Sequence, residues 1–204
     1  SRVTQLFNTI LQDLPMGSAL VLEIGDQEPF ISRTIKGAPE SGERVTEHLL
    51  DGQQRLTALW RGLHNNYDDR TFFLVLKKDE ETGLPCYAES ISRWRKEGDS
   101  KPRPFWTDQP KEQWSRQMVP LQMFLPDLTS QQAFRDWAKE AIETQDERDQ
   151  VSDRVAALRQ TFASFNLPFL SLPVTTSKQT TLDVFIKMNT SATPLSIYDI
   201  VVAQ

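Results

Sequence analysis

The sequence predicts a mixed α+β fold: a small mixed sheet with packed helices and an inserted or appended helical hairpin. Three observations predict it. Apolar runs of strand length recur at 18–24 (SALVLEI), 71–77 (TFFLVLK) and 169–174 (FLSLPV). Stripes of apolar residues at helical spacing lie between them. Two such stripes follow one another across 129–166, with only a short polar stretch between.

The first element is a helix over 3–14. Val3, Leu6, Phe7, Ile10, Leu11 and Leu14 share one face, and Pro15 with Gly17 ends it. The strand at 18–24 is bounded by Gly25-Asp26. Residues 26–44 are rich in Pro, Gly and charge and read as a loop, with room for a short strand at Phe30-Ile31. A strand over 44–50 then leads into LLDGQQRLTALWRGL, the stretch around which the chain is organised. Asp51-Gly52 breaks the strand. Gln53-Gln54-Arg55 open a helix whose Leu56, Leu59, Trp60 and Leu63 fall at i, i+3, i+4 and i+7.

A strand that stops at Gly and becomes a helix gathers free N–H groups and the positive end of the helix dipole at one point, a natural anion site. Gly52 can take φ > 0 or let a ligand come close. Arg55 offers a forked donor for phosphate oxygens. Asp51 either caps the helix or holds a divalent cation that bridges phosphates. Gln53 and Gln54 can orient a water or read a base or ribose edge. A plain turn with a solvated first helical turn fits the same residues.

Beyond the junction, His64 at the helix end complements the dipole, and His48 packs at a strand edge. Asp79, Glu80 and Glu81 read as a solvated hairpin tip. Residues 92–117 interleave Arg93, Arg95, Lys96, Lys101 and Arg103 with Trp94, Phe105, Trp106 and Trp114. Such a pattern stacks bases and follows phosphates, with Arg93, Trp94, Arg95 and Lys96 as the DNA-binding candidates. Equally, it anchors an irregular loop to the core. Residues 119–128 form an apolar connector. The hairpin follows: Phe134, Trp137, Ala138, Ala141 and Ile142 make one inward face, and Val151, Val155, Leu158, Phe162 and Phe165 the other. Pro173 makes the last strand short or places it at an edge. Thr180 with Asp183, and Ser196 with Asp199, have the spacing of capping boxes. The first predicts Leu182, Phe185 and Ile186 facing inward. Asn189 falls seven residues after Leu182, on the inward side at the helix end where a polar loop begins, and it caps that loop or contacts a ligand at the Arg55 junction.

Composition sets the bounds. The chain has 204 residues, enough for one domain or one with an inserted subdomain, and 38% are apolar. No apolar run approaches the ~20 residues of a membrane span. Cys86 is the only cysteine, so no intrachain disulfide forms, which suits a cytoplasmic location. The net charge of −5 argues against a generally basic surface while allowing a local basic groove.

DGQQR followed by LTAL resembles the signature of the N-terminal domain of GmrSD-type restriction endonucleases, a ParB/sulfiredoxin-like family. A second block, Phe185-Ile186-Lys187-Met188-Asn189-Thr190 through Pro194-Leu195-Ser196 to Asp199, is similar to the family's downstream motif. The resemblance implies a ParB/sulfiredoxin-like sheet domain of a modification-dependent restriction or antiphage protein. It would bind and hydrolyse a nucleoside triphosphate with Mg²⁺, and so license DNA cleavage by a C-terminal HNH-type nuclease domain. Carried over, Asp51 meets the metal or water, Gly52 and Gln53 meet the phosphates, and Gln54 orients the attacking water or the ribose. Arg55 offsets charge on the transferred phosphoryl group, and Asn189 and Asp199 support the opposite wall. DNA is the implied partner of the full-length protein, and a homo-oligomer is allowed.

The chain departs from the family in places. Ser191-Ala192 stand where Arg-Gly is usual, and the upstream Pro…Gln-Arg…Trp segment is absent before Ser1. The expectation is a fragment of a larger protein. Two other readings stay open: a non-catalytic sensor of modified DNA working through 93–114, and a domain in which DGQQR itself nicks DNA.

Overall fold

A computed structural model describes residues 1–26, 30, 34–40, 42 and 44–191, the last three by backbone alone. The elements run α1 (Arg2–Leu11), β1 (Ala19–Glu23), β2 (Glu47–Asp51), α2 (Gln53–Leu63), β3 (Arg70–Val75) and β4 (Tyr87–Ser92). They continue with α3 (Pro110–Trp114), β5 (Met118–Pro120), α4 (Leu128–Ala141), α5 (Gln145–Ser164), β6 (Phe169–Leu172) and α6 (Lys178–Ser191). The described residues are thus mixed α+β, with six α-helices and two three-stranded sheets in place of the one sheet expected. The chain divides into two compact units: Ser1–Gly17, Thr34–Pro39 and Gln54–Leu167 form one, and Ser18–Arg33, Glu40–Gln53 and Pro168–Gln204 the other.

In the first unit, β3 is the centre of an antiparallel sheet in the order β4-β3-β5. Side chains alternate across a strand, so its unbroken run of apolar residues serves two faces. Phe72, Leu74 and the following Leu76 join the large core with Phe7, Val119, Leu121, Phe124, Trp137, Ile142 and Val155. Phe73 and Val75 face the other way, onto Met118, Tyr87, Ile91 and Trp106. Both faces of β3 are therefore closed.

The helices dock on the first face through most of their apolar stripes, although α1 ends at Leu11 and leaves Leu14 exposed. Phe7 of α1 is fully buried and meets Phe162 of α5 edge-on at 6.0 Å. Asn8 of α1 accepts a hydrogen bond from the Ala88 N–H of β4 at 2.7 Å, satisfying an edge amide of the sheet. Leu59 and Leu63 of α2 pack against the same core. Two arginines of α5 fasten the loops beneath it. Arg154 donates to the carbonyls of Leu76 and Pro85 at 2.8 and 2.6 Å, and Arg159 to those of Met123 and Leu125 at 2.6 and 3.1 Å. Burial pushes the Arg159 guanidinium below its usual range, against the pull of Asp127. The acidic tip at 79–83 is a turn: Asp79 accepts from the Thr82 hydroxyl and the Glu81 N–H, and these bonds, Thr82's first, hold its carboxyl below the usual range.

In the second unit, β1 is central in the order β2-β1-β6, antiparallel to β2 and parallel to β6. Ala19, Leu20, Val21 and Leu22 are all buried. β6 is an edge strand, as Pro173 requires.

α6 differs from expectation in three ways. It begins at Lys178, because the hydroxyl of Ser177 accepts from the Thr180 N–H at 3.1 Å and so caps the helix one turn earlier than the Thr180–Asp183 pair predicted. It continues through Ser191, so Asn189, expected at the helix end where the loop begins, lies within the helix. Leu182 and Ile186 are exposed, and the buried residue of its first turn is Thr181. The box at Ser196 and Asp199 lies outside the described residues, as does Ile31.

Among the described residues no helix is long and apolar enough to cross a membrane.

Candidate functional site

The strand–helix junction is built as the Asp-Gly dipeptide predicts. β2 runs through Asp51 and α2 begins at Gln53. Gly52 between them has φ +95°, a conformation that a Cβ would strain. It is buried, whereas Gln53 and Gln54 are exposed. The side-chain amide of Gln53 turns back and donates to the Leu49 carbonyl at 2.9 Å. α2 carries no acidic residue in its first turn, so no helix carboxylate competes for its positive end.

The boundary between the compact units falls between Gln53 and Gln54. Asp51, Gly52 and Gln53 therefore fall in the unit that holds β1, β2 and β6, and Gln54 and Arg55 in the unit that holds β3, β4 and β5. There Arg55 is half-buried and donates from Nη1 to the Met16 carbonyl at 2.5 Å. This bond places its guanidinium against the turn at Gly17, which has φ +77°. Sequence reasoning assigned Arg55 to a phosphate and missed its main-chain partner.

The remaining candidates are placed as follows. Asn189 is helical in α6, with its side chain outside the described residues, and Asp199 lies outside them altogether. His48 is buried in β2 with its ring edge-on to Phe30 at 6.1 Å. His64 follows α2, with Nδ1 2.9 Å from the Trp60 carbonyl and its ring stacked on Trp60 at 3.7 Å. Among the described residues no three His, Cys, Asp or Glu side chains cluster as a metal site. Mg²⁺ needs no such cluster when a nucleotide is present. One or two carboxylates, phosphate oxygens and water complete its octahedron, and Asp51 at the strand end can supply one of these.

The aromatic, basic segment divides in two. Trp106 lies over Phe73 at 5.8 Å, and Trp114 donates to Glu147 at 3.0 Å while meeting Trp137 edge-on at 6.1 Å. Both anchor the segment to the core. Trp94 and Phe105 stay 52% and 44% exposed, so they are not held that way. Trp94 pairs with Arg103 in an isolated antiparallel bridge, N–H to carbonyl both ways at 3.1 and 2.7 Å. Asp99 accepts from Arg103 Nε at 2.7 Å and from the Lys96 N–H at 3.0 Å. These bonds, Arg103's first, hold the Asp99 carboxyl below its usual range. Arg93 is mostly buried and pairs with Asp108 at 2.6 Å, which commits its charge within the fold.

Compared with known proteins, all 204 residues match the family model described as GmrSD restriction endonuclease, N-terminal domain. No curated protein matches the chain.

Proposed function

Because the chain belongs to the GmrSD restriction endonuclease N-terminal domain family, we propose that it is the nucleoside triphosphate-responsive part of a DNA restriction system acting in antiphage defence. In this reading the junction from Asp51 to Arg55 binds and hydrolyses a nucleoside triphosphate with Mg²⁺, in a ParB/sulfiredoxin-like setting. The observation that carries it is Gly52, held at φ +95° between the last residue of a strand and the first residue of a helix. Glycine brings no side chain of its own to cover the backbone N–H groups at that point.

The roles follow from the chemistry of the side chains. The amides of Gly52 and Gln53 would face the phosphates and Asp51 would hold a Mg²⁺ ion, which when bound would neutralise phosphate charge. Gln54, exposed and uncharged, orients the attacking water. Water adds to the terminal phosphorus and the bridging P–O bond breaks. A nucleoside diphosphate and inorganic phosphate leave, and a proton passes to solvent. Arg55 offsets charge on the transferred group. Carried over from the family's pattern, Asn189 would contact the nucleotide and Asp199 would support the opposite wall.

The test is a thermal-shift panel of ATP, GTP, CTP and UTP with Mg²⁺, followed by phosphate release. A ligand at about one hundred times its Kd adds about 2.7 kcal/mol of stability, a shift of several degrees. Gln54→Ala is expected to abolish phosphate release while leaving the melting temperature and the nucleotide shift intact. Gly52→Ala is expected to abolish the shift itself. If none of the four nucleotides moves the wild-type transition, the proposal fails.

A further inference from the structure

We propose that the hairpin carrying Trp94 and Phe105 is a stacking platform for unpaired bases, a binding site for single-stranded nucleic acid separate from the Asp51–Arg55 junction. Trp94 and Arg103 are directly opposed across an antiparallel pair, so their side chains leave the backbone on the same face. The Arg103 guanidinium lies 5.1 Å from the Phe105 ring centroid. An aromatic ring, a planar cation and a second aromatic ring therefore follow one another along one side of the hairpin.

This face is held in place by polar bonds and not by burial. Two main-chain hydrogen bonds close the Trp94–Arg103 bridge, and Asp99 clasps the Arg103 guanidinium at 2.7 and 3.1 Å. Trp106 and Trp114 in the same segment are sunk against core aromatics, whereas Trp94 and Phe105 keep about half their surface in water. A scaffold that rigidly presents two rings to solvent has already met the ordering cost of stacking a flat ligand between or upon them.

Charge selects the ligand. Residues 93–108 carry five cations and three carboxylates in a chain whose net charge is −5. Arg93 and Arg103 are consumed by Asp108 and Asp99. Arg95, Lys96 and Lys101 are exposed and make no ion pair among the described residues. Flat apolar faces flanked by uncommitted cations match bases joined by phosphates. In a duplex the base faces are covered by their neighbours, so the platform suits a single strand. An acidic peptide would satisfy the cations and leave the rings without a flat partner.

Fluorescence anisotropy of the full chain with a labelled oligothymidylate, without nucleotide or Mg²⁺, tests this apart from the proposed hydrolysis. A duplex of the same length and an oligoaspartate are the competing ligands, and an oligouridylate arm shows whether the sugar matters. The single strand is expected to bind in preference to both. Trp94→Ala and Phe105→Ala are each expected to weaken it by roughly tenfold to a hundredfold, with the melting temperature and salt dependence unchanged. Trp94→Phe is expected to restore most of the loss. The triple change Arg95→Ser, Lys96→Ser and Lys101→Ser is expected to flatten a salt slope of about −2, at about −0.7 per contact. The proposal is overturned by absence of single-strand binding, by equal or tighter binding of duplex or oligoaspartate, or by affinity indifferent to Trp94→Ala.

Discussion

The guanidinium of Arg55 is tied to the backbone of Met16, donating from Nη1 to its carbonyl oxygen at 2.5 Å. The bond spans 39 residues and joins the first turn of α2 to the end of the segment that follows α1. Gly17 is fitted to it. A Cβ there would stand 2.9 Å from Nη1, and φ is +77°. The tip of an arginine can yield a few tenths of an ångström, so the backbone conformation sets most of the cost of a side chain. Gly17→Ala is expected to lose about 1–2 kcal/mol, read as a fall in the urea midpoint at constant slope. Arg55→Ala removes a half-buried, charge-assisted bond and is expected to lose about 1.5–3 kcal/mol. The double variant should lose close to the sum of the two, because the contact between the new Cβ and Nη1 is the small part of the cost that they share.

A second glycine sets helix propensity against packing. Gly62 is buried in α2, and a Cβ built there would meet Phe7 Cε2 and Cζ at 2.6 and 2.8 Å. Alanine is favoured over glycine in a helix by about 1 kcal/mol. Phe7 has no solvent to swing into: it is fully buried and held edge-on by Phe162. Overpacking of this kind costs about 1–3 kcal/mol, so packing wins. Gly62→Ala is expected to lower stability despite its better propensity, and a raised midpoint in urea would refute the close approach.

These two cases mark what the sequence could and could not reveal. The periodicity of α2 and α5 and the unbroken apolar run of β3 were legible, because burial imposes them on residue type. The strands that flank β3 were not. β4 reads YAESIS and lies at an edge, where Glu89 and the serines carry no apolar alternation; β5 is three residues long and ends in Pro120. The positive φ of Gly52 followed from its place after Asp51. The partner of Arg55 did not, because a main-chain carbonyl leaves no mark on residue identity. Nor could composition sort the tryptophans of 92–117. Trp106 and Trp114 find core rings, and Trp94 does not, only once β3 and α4 are in place.

Gln113 is a buried polar residue whose removal leaves two groups stranded. Its amide donates to the Thr107 carbonyl at 2.7 Å, and its oxygen accepts from the Trp137 indole at 2.5 Å. Gln113 is 4% exposed and Trp137 5%, so water cannot replace either bond without opening the core. Each unsatisfied group costs about 1–3 kcal/mol. Gln113→Leu keeps the volume and removes both bonds, and is expected to lose roughly 2–4 kcal/mol by denaturant unfolding. Gln113→Glu removes the N–H donor and adds the cost of burying a carboxylate or keeping it protonated, and is expected to be destabilising as well. An unchanged midpoint for Gln113→Leu would mean that this network contributes no net stability.

The hairpin at Trp94 should loosen in acid, and the direction follows from Asp99. Its carboxyl is held below the ordinary value of 3.8, first by the Arg103 guanidinium and then by the Lys96 N–H. A carboxyl depressed in the folded state binds fewer protons there than in the open one. Its contribution is therefore complete above the ordinary value and is lost as pH falls through the lower, folded one. Asp69, Asp79 and Asp127 are depressed as well, each by its own hydrogen bonds. Global acid unfolding consequently cannot isolate this clasp, and a local probe is needed. The indole N–H resonance of Trp94 serves, since its main chain is bonded directly to Arg103. Asp99→Asn is expected to shift that resonance at neutral pH and to remove most of its movement below pH of about 4. If wild type and variant move alike on acidification, the carboxylate of Asp99 is not what holds the bridge closed.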